Sequence, residues 1–144
     1  MRTLVVDASV AIKFVIIEKG TPEARDLLPQ AYAGDIELVA PSLVRLEVAN
    51  ALWKGLRRGH LAAAEVQSML EEFLLLPLSI QDSPELLRPA LALACTAGCT
   101  VYDATYTALA LILGCRLVTA DRQQFEVAEK ALALSPGQNV LVPS

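Results

Sequence analysis

Apolar residues recur along this chain in short runs that alternate with stretches of helical spacing. Leu4-Val5-Val6 runs straight to Asp7, and apolar side chains then fall at helical intervals from residue 8 to residue 17, which predicts a strand followed by a helix. Thr21, Pro22 and Glu23 predict a capped helix start with a proline and an acid in its first turn, and Gly34 marks its stop. Residues 37–40 read as the second strand. Ser42 is expected to cap a long helix through about residue 58, closed by Gly59, and a second helix runs from about 61 to 76, so that the two form a helical hairpin. Residues 78–80 read as a third strand. Ser83-Pro84-Glu85 restarts a helix that Pro89 is expected to kink and Gly98 to end. Another helix begins near Tyr102 or Asp103 and stops at Gly114; residues 116–119 form the fourth strand, Asp121 caps a helix to about Leu132, and residues 139–142 make a last, edge strand.

Strand-like runs alternating with helices call for βαβ crossovers, hence a mainly parallel sheet flanked by helices on both faces. The expected fold class is α/β, in one domain over residues 1–144. In open sheets of this kind ligands sit beyond the carboxyl ends of the strands, where the winding direction changes. The residues just after the strands are therefore the ones that matter.

Asp7 ends the first strand and Asp121 follows the fourth, so both carboxylates belong at the carboxyl edge of the sheet. Helices add Glu47, flanked by Leu43, Leu46, Val48, Ala51 and Leu52, and Asp103, set between Val101-Tyr102 and the apolar run 108–113. An acid in such company is partly buried, and a buried charge needs a partner. No basic residue lies between positions 102 and 112, so no local ion pair serves Asp103, whereas a metal ion would. Four carboxylates converging on one pocket raise one another's pKa and oppose folding unless cations neutralise them, and an all-oxygen set selects Mg²⁺ or Mn²⁺ over zinc. Such a centre suits phosphodiester hydrolysis, in which a metal ion acidifies an attacking water and steadies charge on the leaving oxygen. Thr119 and Ser9 place hydroxyls near Asp121 and Asp7, within reach of a carboxylate or a metal-bound water. Each residue also has a plainer role: Asp103 and Asp121 as helix N-caps, Asp7 as a strand-end turn former, Ser9 and Thr119 as turn or cap residues. Spacing alone leaves a metal site and a noncatalytic acidic pocket both open.

Composition narrows the classes. A 54% hydrophobic share with 19% charged residues excludes disorder, and a chain of 144 residues can bury roughly 68% of its unfolded surface. The longest uncharged stretches, residues 89–102 and 131–144, are 14 residues each and contain Gly and Pro, short of the ~20 apolar residues a membrane span needs. The start MRTLVVD leaves no room for the apolar core of a secretory signal, so a cytoplasmic address is expected. Cys95, Cys99 and Cys115 agree with that address and are expected as small buried hydrophobes, with Cys95 and Cys99 on one helix face. His60, the one histidine, follows Gly59 in a polar turn and has no positioned partner for catalysis. The net charge of −4 argues against a nonspecific DNA binder. Asp7-Ala8-Ser9 lacks the second acid of a DxD phosphatase, and no GxxxxGK[ST] or GxGxxG is present, so a nucleotide cofactor is not expected.

Four segments together carry a family resemblance: VVDASVAIKF with Asp7, APSLVRLEVANALWKGLRRGHL with Glu47 and Asn50, TVYDATYTALA with Asp103, and RLVTAD with Thr119 and Asp121. In order, spacing and length the chain resembles PIN-domain proteins, and most closely the VapC-type toxin ribonucleases of toxin–antitoxin pairs. The resemblance implies a five-stranded parallel sheet, an acidic Mg²⁺ or Mn²⁺ site, and endonucleolytic cleavage of RNA leaving a 5′-phosphate. It places Asp7, Glu47, Asp103 and Asp121 at the family's acidic positions, Thr119 at its hydroxyl position and Asn50 at a polar position nearby; Ser9 and Lys13 fall in a first motif similar to one subgroup's, with no role assigned to Lys13. One departure is visible: Phe125 follows Asp121 one residue later than the common spacing, which leaves the following helix's contribution to the pocket in question.

An RNA must also be held. Lys54, Arg57, Arg58 and His60 form the densest basic run, about 10–17 Å along the helix from Glu47 for the three Lys and Arg residues. Cations in a last helical turn also stabilise the helix dipole without any RNA. Few aromatics leave no extended base-stacking platform, and Trp53 reads as a core or interface residue. A mean hydropathy of +0.46 suggests apolar surface covered in a homodimer, and the resemblance implies the same together with an antitoxin that covers the pocket. The expected function is thus a metal-dependent endoribonuclease, the toxin of a pair; the alternatives are a housekeeping PIN-domain RNA-processing nuclease and an inactive PIN-like binding module.

Overall fold

The computed structural model describes residues 1–131 and 139–144. Strands β1 (Arg2–Val6), β2 (Ile36–Ala40), β3 (Leu78–Ile80), β4 (Arg116–Thr119) and β5 (Val140–Leu141) form one sheet in the order β3-β2-β1-β4-β5, and every pairing is parallel. Parallel strands buried by helices read as continuous apolar runs rather than alternating ones. Leu4, Val5 and Val6 of β1 and Leu38, Val39 and Ala40 of β2 are accordingly all buried. Strands β2 and β3 add to one side of β1, while β4 and β5 add to the other. The winding therefore reverses at the β1–β4 seam, and the Asp7 N–H extends that seam by donating to the Val118 carbonyl at 3.2 Å.

The helices are α1 (Ala8–Ala11), continued by a 3₁₀ turn at Ile12–Phe14, then α2 (Thr21–Arg25), α3 (Leu27–Ala33), α4 (Leu43–Arg57), α5 (Ala63–Leu74), α6 (Leu87–Ala97), α7 (Val101–Leu113) and α8 (Arg122–Ala131). Helix α7 packs on β1 and β4 and buries Ala104, Tyr106, Thr107, Ala108, Leu109 and Ala110. Helix α4 buries Val44, Val48 and Leu52, one residue per turn, which leaves Glu47 at the edge of the buried stripe. Helices α4 and α5 form the expected hairpin; at Gly55 an added Cβ would stand 2.6 Å from Leu61 Cδ1, so glycine permits the close return. Gly34, Gly59, Gly98 and Gly114 sit at positive φ where the helix stops were expected.

Several local expectations are corrected. Thr21 does not cap: Gly20 holds the N-cap position, and the Thr21 hydroxyl donates to the Ile16 carbonyl and accepts from the Glu18 N–H. The helix after it is broken at Asp26, because the Pro29 ring cannot accept an unbroken helix through residue 25, four positions earlier. Ser42 is already helical in backbone and makes no side-chain cap; its N–H donates to Asp82 Oδ1 at 2.9 Å. Pro89 falls in the first turn of α6, after a 3₁₀ turn at Pro84–Leu86, where its missing N–H costs no helical bond. Cys99 lies beyond the end of α6 and Cys95 is exposed, since the buried face of that helix is Ala90 and Ala94. The expected end of the last helix at Leu132 lies outside the described residues. Among the described residues no helix is long and apolar enough to cross a membrane.

Candidate active site

Asp7 occupies two structural roles at once. It ends β1 and caps α1, its Oδ1 accepting from the Val10 N–H at 3.2 Å and from the Ser9 hydroxyl at 2.6 Å. Its Oδ2 accepts from the Thr119 hydroxyl at 2.5 Å. Ser9 Oγ in turn accepts from the Ala120 N–H at 2.8 Å, and Thr119 Oγ1 accepts from the Asp121 N–H at 3.0 Å. Ser9 and Thr119 thus stitch the β1 and β4 ends together, with Asp7 between them. Asp7 is only 5% exposed, and burial pushes its carboxyl up to about 6 against the pull of these hydrogen bonds, with the Asp121 charge adding to the rise.

Asp121 stands at the exposed rim, as the N-cap of α8, with Oδ1 accepting from the Gln124 N–H at 3.1 Å. A cleft of about 450 Å³ lined by Ser9, Asp121 and Arg122 opens beside it. Asp103 does not cap α7. Thr100 does, its hydroxyl accepting from the Asp103 N–H at 3.1 Å, which leaves the Asp103 carboxylate without a capping role. Burial raises its carboxyl, Thr100 opposes the rise and the Asp121 charge adds to it. Glu47 is half-buried on α4 and accepts at Oε1 from the Tyr106 hydroxyl at 2.8 Å. Its carboxyl is raised by burial, held back by Tyr106 and raised further by Asp103. The electrostatic couplings run Asp7 to Asp121, Asp121 to Asp103 and Asp103 to Glu47, so the four acids are one connected series.

Among the described residues none of the four forms an ion pair; the ion pair seen is Lys13 with Glu18, at 2.8 Å. Lys13 is buried and also donates to the Lys19 carbonyl, so its charge is spent on the loop after α1. Nor do three Asp, Glu, His or Cys side chains stand together as a ready-made metal cage among the described residues. What the donor set offers is four hard oxygen ligands short of positive charge, which fits Mg²⁺ or Mn²⁺ rather than a softer ion.

Tyr106 and Gln124 join the site from the structure rather than from the sequence. Each lies three positions after an acid, Asp103 and Asp121, and that helical spacing was the available signal. Asn50 lies one turn beyond Glu47 and is exposed. Lys54, Arg57 and Arg58 are exposed further along α4, where the Arg57 guanidinium lies 5.3 Å over the Trp53 ring. Trp53, expected in a core or an interface, is half exposed.

Comparison with known proteins agrees with this architecture. The PIN domain family profile matches residues 4–130. Ribonuclease VapC3 of Pyrobaculum aerophilum is 43% identical over 133 residues, covering 91% of this chain and 96% of that protein. The chain belongs to the PIN-domain family, within its VapC-type branch. Two crystal structures share the fold: PAE2754 of Pyrobaculum aerophilum, with a TM-score of 0.69 at 24% identity over 92% of this chain and 94% of that one; and VapBC2 of Rickettsia felis bound to a DNA fragment from their promoter, with a TM-score of 0.62 at 16% identity over 98% of both chains.

Proposed function

We propose that this chain is a divalent-metal-dependent endoribonuclease and the toxin of a toxin–antitoxin pair. The observation that carries the reading is the connected series of four carboxylates at the β1–β4 switch point, with no cationic side chain among the described residues paired to any of them. Its similarity to a VapC ribonuclease supports RNA as the substrate and an antitoxin as the partner. Asp7, Glu47, Asp103 and Asp121 would hold Mg²⁺ or Mn²⁺, which when bound supplies the Lewis acidity that phosphodiester hydrolysis requires.

The protein's own groups divide the remaining work. Tyr106 holds the Glu47 carboxylate by one oxygen, leaving the other for the cation. Thr119 and Ser9 have their hydroxyls committed to Asp7, so they are positioning residues that fix its two oxygens. Asn50, exposed one turn from Glu47, is placed to meet substrate rather than metal. Lys54, Arg57 and Arg58 supply phosphate contacts away from the reacting centre. Leu46 and Trp53 on α4 with Leu74 and Leu75 at the end of α5 are exposed apolar residues suited to burial in a homodimer.

The test is cleavage of a mixed structured RNA pool by purified protein with Mg²⁺, Mn²⁺ or EDTA, beside Asp103→Asn. Cutting that needs metal, leaves 5′-phosphate ends and is absent in Asp103→Asn supports the reading. Cutting that persists in EDTA or in the variant refutes it. Growth arrest on expression, relieved by co-expressing a small protein encoded beside this chain, separates a toxin from a housekeeping nuclease.

A further inference from the structure

Gln124 is a polar side chain in an expensive place. It is 4% exposed on α8, and its Oε1 is buried with no hydrogen-bond partner among the described residues. An apolar residue would fill the same volume without an orphaned acceptor. What the residue does make is two bonds, one toward each of two acids. Its backbone N–H donates to Asp121 Oδ1 at 3.1 Å, and its Nε2 donates to the Asp103 main-chain carbonyl at 2.6 Å. The first bond fixes one carboxylate oxygen of Asp121 as the α8 cap. The second ties the start of α8 to the first turn of α7 at the residue that bears the other acid.

We infer that Gln124 is the positioning residue that sets the separation of Asp103 and Asp121, and through it the affinity of the site for its cation. The inference rests on the proposed metal-binding role of those acids. Two like charges on separate helices repel in the metal-free protein, and among the described residues the Gln124–Asp103 bond is the side-chain hydrogen bond that joins the first turns of α7 and α8 against that repulsion. A crosslink of this kind holds the helix starts at one spacing, so the cation does not have to draw them in at its own expense.

Mn²⁺ binding by calorimetry is the measurement, on wild type, Gln124→Met and Val127→Ala. Methionine keeps the buried volume and removes the donor. Val127, buried one turn on along α8, lines a groove with Leu93, Thr96 and Ala97 of α6 and reports what loosening the helix alone does. Gln124→Met is expected to raise the Mn²⁺ Kd by about tenfold or more, the usual effect of losing an outer-shell partner. Val127→Ala should lower Tm and leave the Kd unchanged. An unchanged Kd in Gln124→Met, or an equal loss in Val127→Ala, overturns the inference while the metal site stands. Absence of saturable Mn²⁺ binding in wild type overturns both. Should Gln124→Met not fold, the wild-type side-chain amide decides: its protons should be protected from exchange and shift in step with Mg²⁺ saturation, and an amide that exchanges freely is contradictory.

Discussion

The Thr119 hydroxyl donates to Asp7 Oδ2 at 2.5 Å, joining residues 112 positions apart across the β1–β4 seam. Thr119 is fully buried, and its oxygen also accepts from the Asp121 N–H, so one side chain orients the Asp7 carboxylate and holds the backbone at Asp121. Thr119→Val keeps the shape and removes both bonds. Cleavage and Mn²⁺ affinity should fall by about 10–100-fold, and Thr119→Ser should restore most of the loss. Equal damage from Val and Ser would show that the methyl, not the hydroxyl, matters.

Asp7 sets a pH dependence. Its folded carboxyl is raised from 3.8 to about 6, so between those values the folded state binds more protons than the unfolded chain. Stability of the metal-free protein should therefore fall as pH rises from about 4 to about 6, by up to about 3 kcal/mol from this group at pH values above both. Half-buried Asp103 and Glu47 are shifted in the same direction. Asp7→Asn should flatten that slope, raise the metal-free Tm at pH 7.5 and abolish cleavage. Denaturant melts at a series of pH values in EDTA check the sign; a metal-free protein that gains stability across that window contradicts it.

Tyr106 donates to Glu47 and favours its ionised form. Tyr106→Phe leaves the core volume nearly unchanged while removing that donor, so the Glu47 carboxyl should rise further and the metal optimum move to higher pH. A loss of about tenfold in cleavage near pH 7 is expected, partly recovered at higher pH. A uniform loss at every pH would point to packing instead.

Arg57 lies over Trp53 on the exposed end of α4. Arg57→Glu should weaken RNA binding and reduce the slope of log affinity against log salt by about one to two. An unchanged slope removes this patch from the RNA path.

Asp103 and Glu47 were legible because each stands in apolar sequence, Asp103 with no base nearby along the chain and Glu47 at the edge of the stripe of Val44, Val48 and Leu52, whereas Asp7 and Asp121 were legible from their places just after strands. The parallel α/β order was legible for a similar reason, since strands buried on both faces carry unbroken apolar runs. Tyr106 and Gln124 were hidden because an aromatic or amide three positions beyond an acid is ordinary in any helix, and only the packing of α7 against α4 and α8 shows where it points. Capping at Thr21 and Ser42 is not legible in sequence because a hydroxyl's choice of partner depends on backbone angles and on distant groups such as Asp82. The break at Asp26 follows from Pro29, whose constraint acts four residues upstream of itself.

Calorimetric titration of Mn²⁺ into wild type and into Asp7→Asn, Glu47→Gln, Asp103→Asn and Asp121→Asn tests the central claim most directly, that these four carboxylates form one cation site. The account predicts saturable binding in wild type and a loss of about tenfold or more in each variant, with every variant still folded. Binding that survives unchanged in any of the four would contradict it.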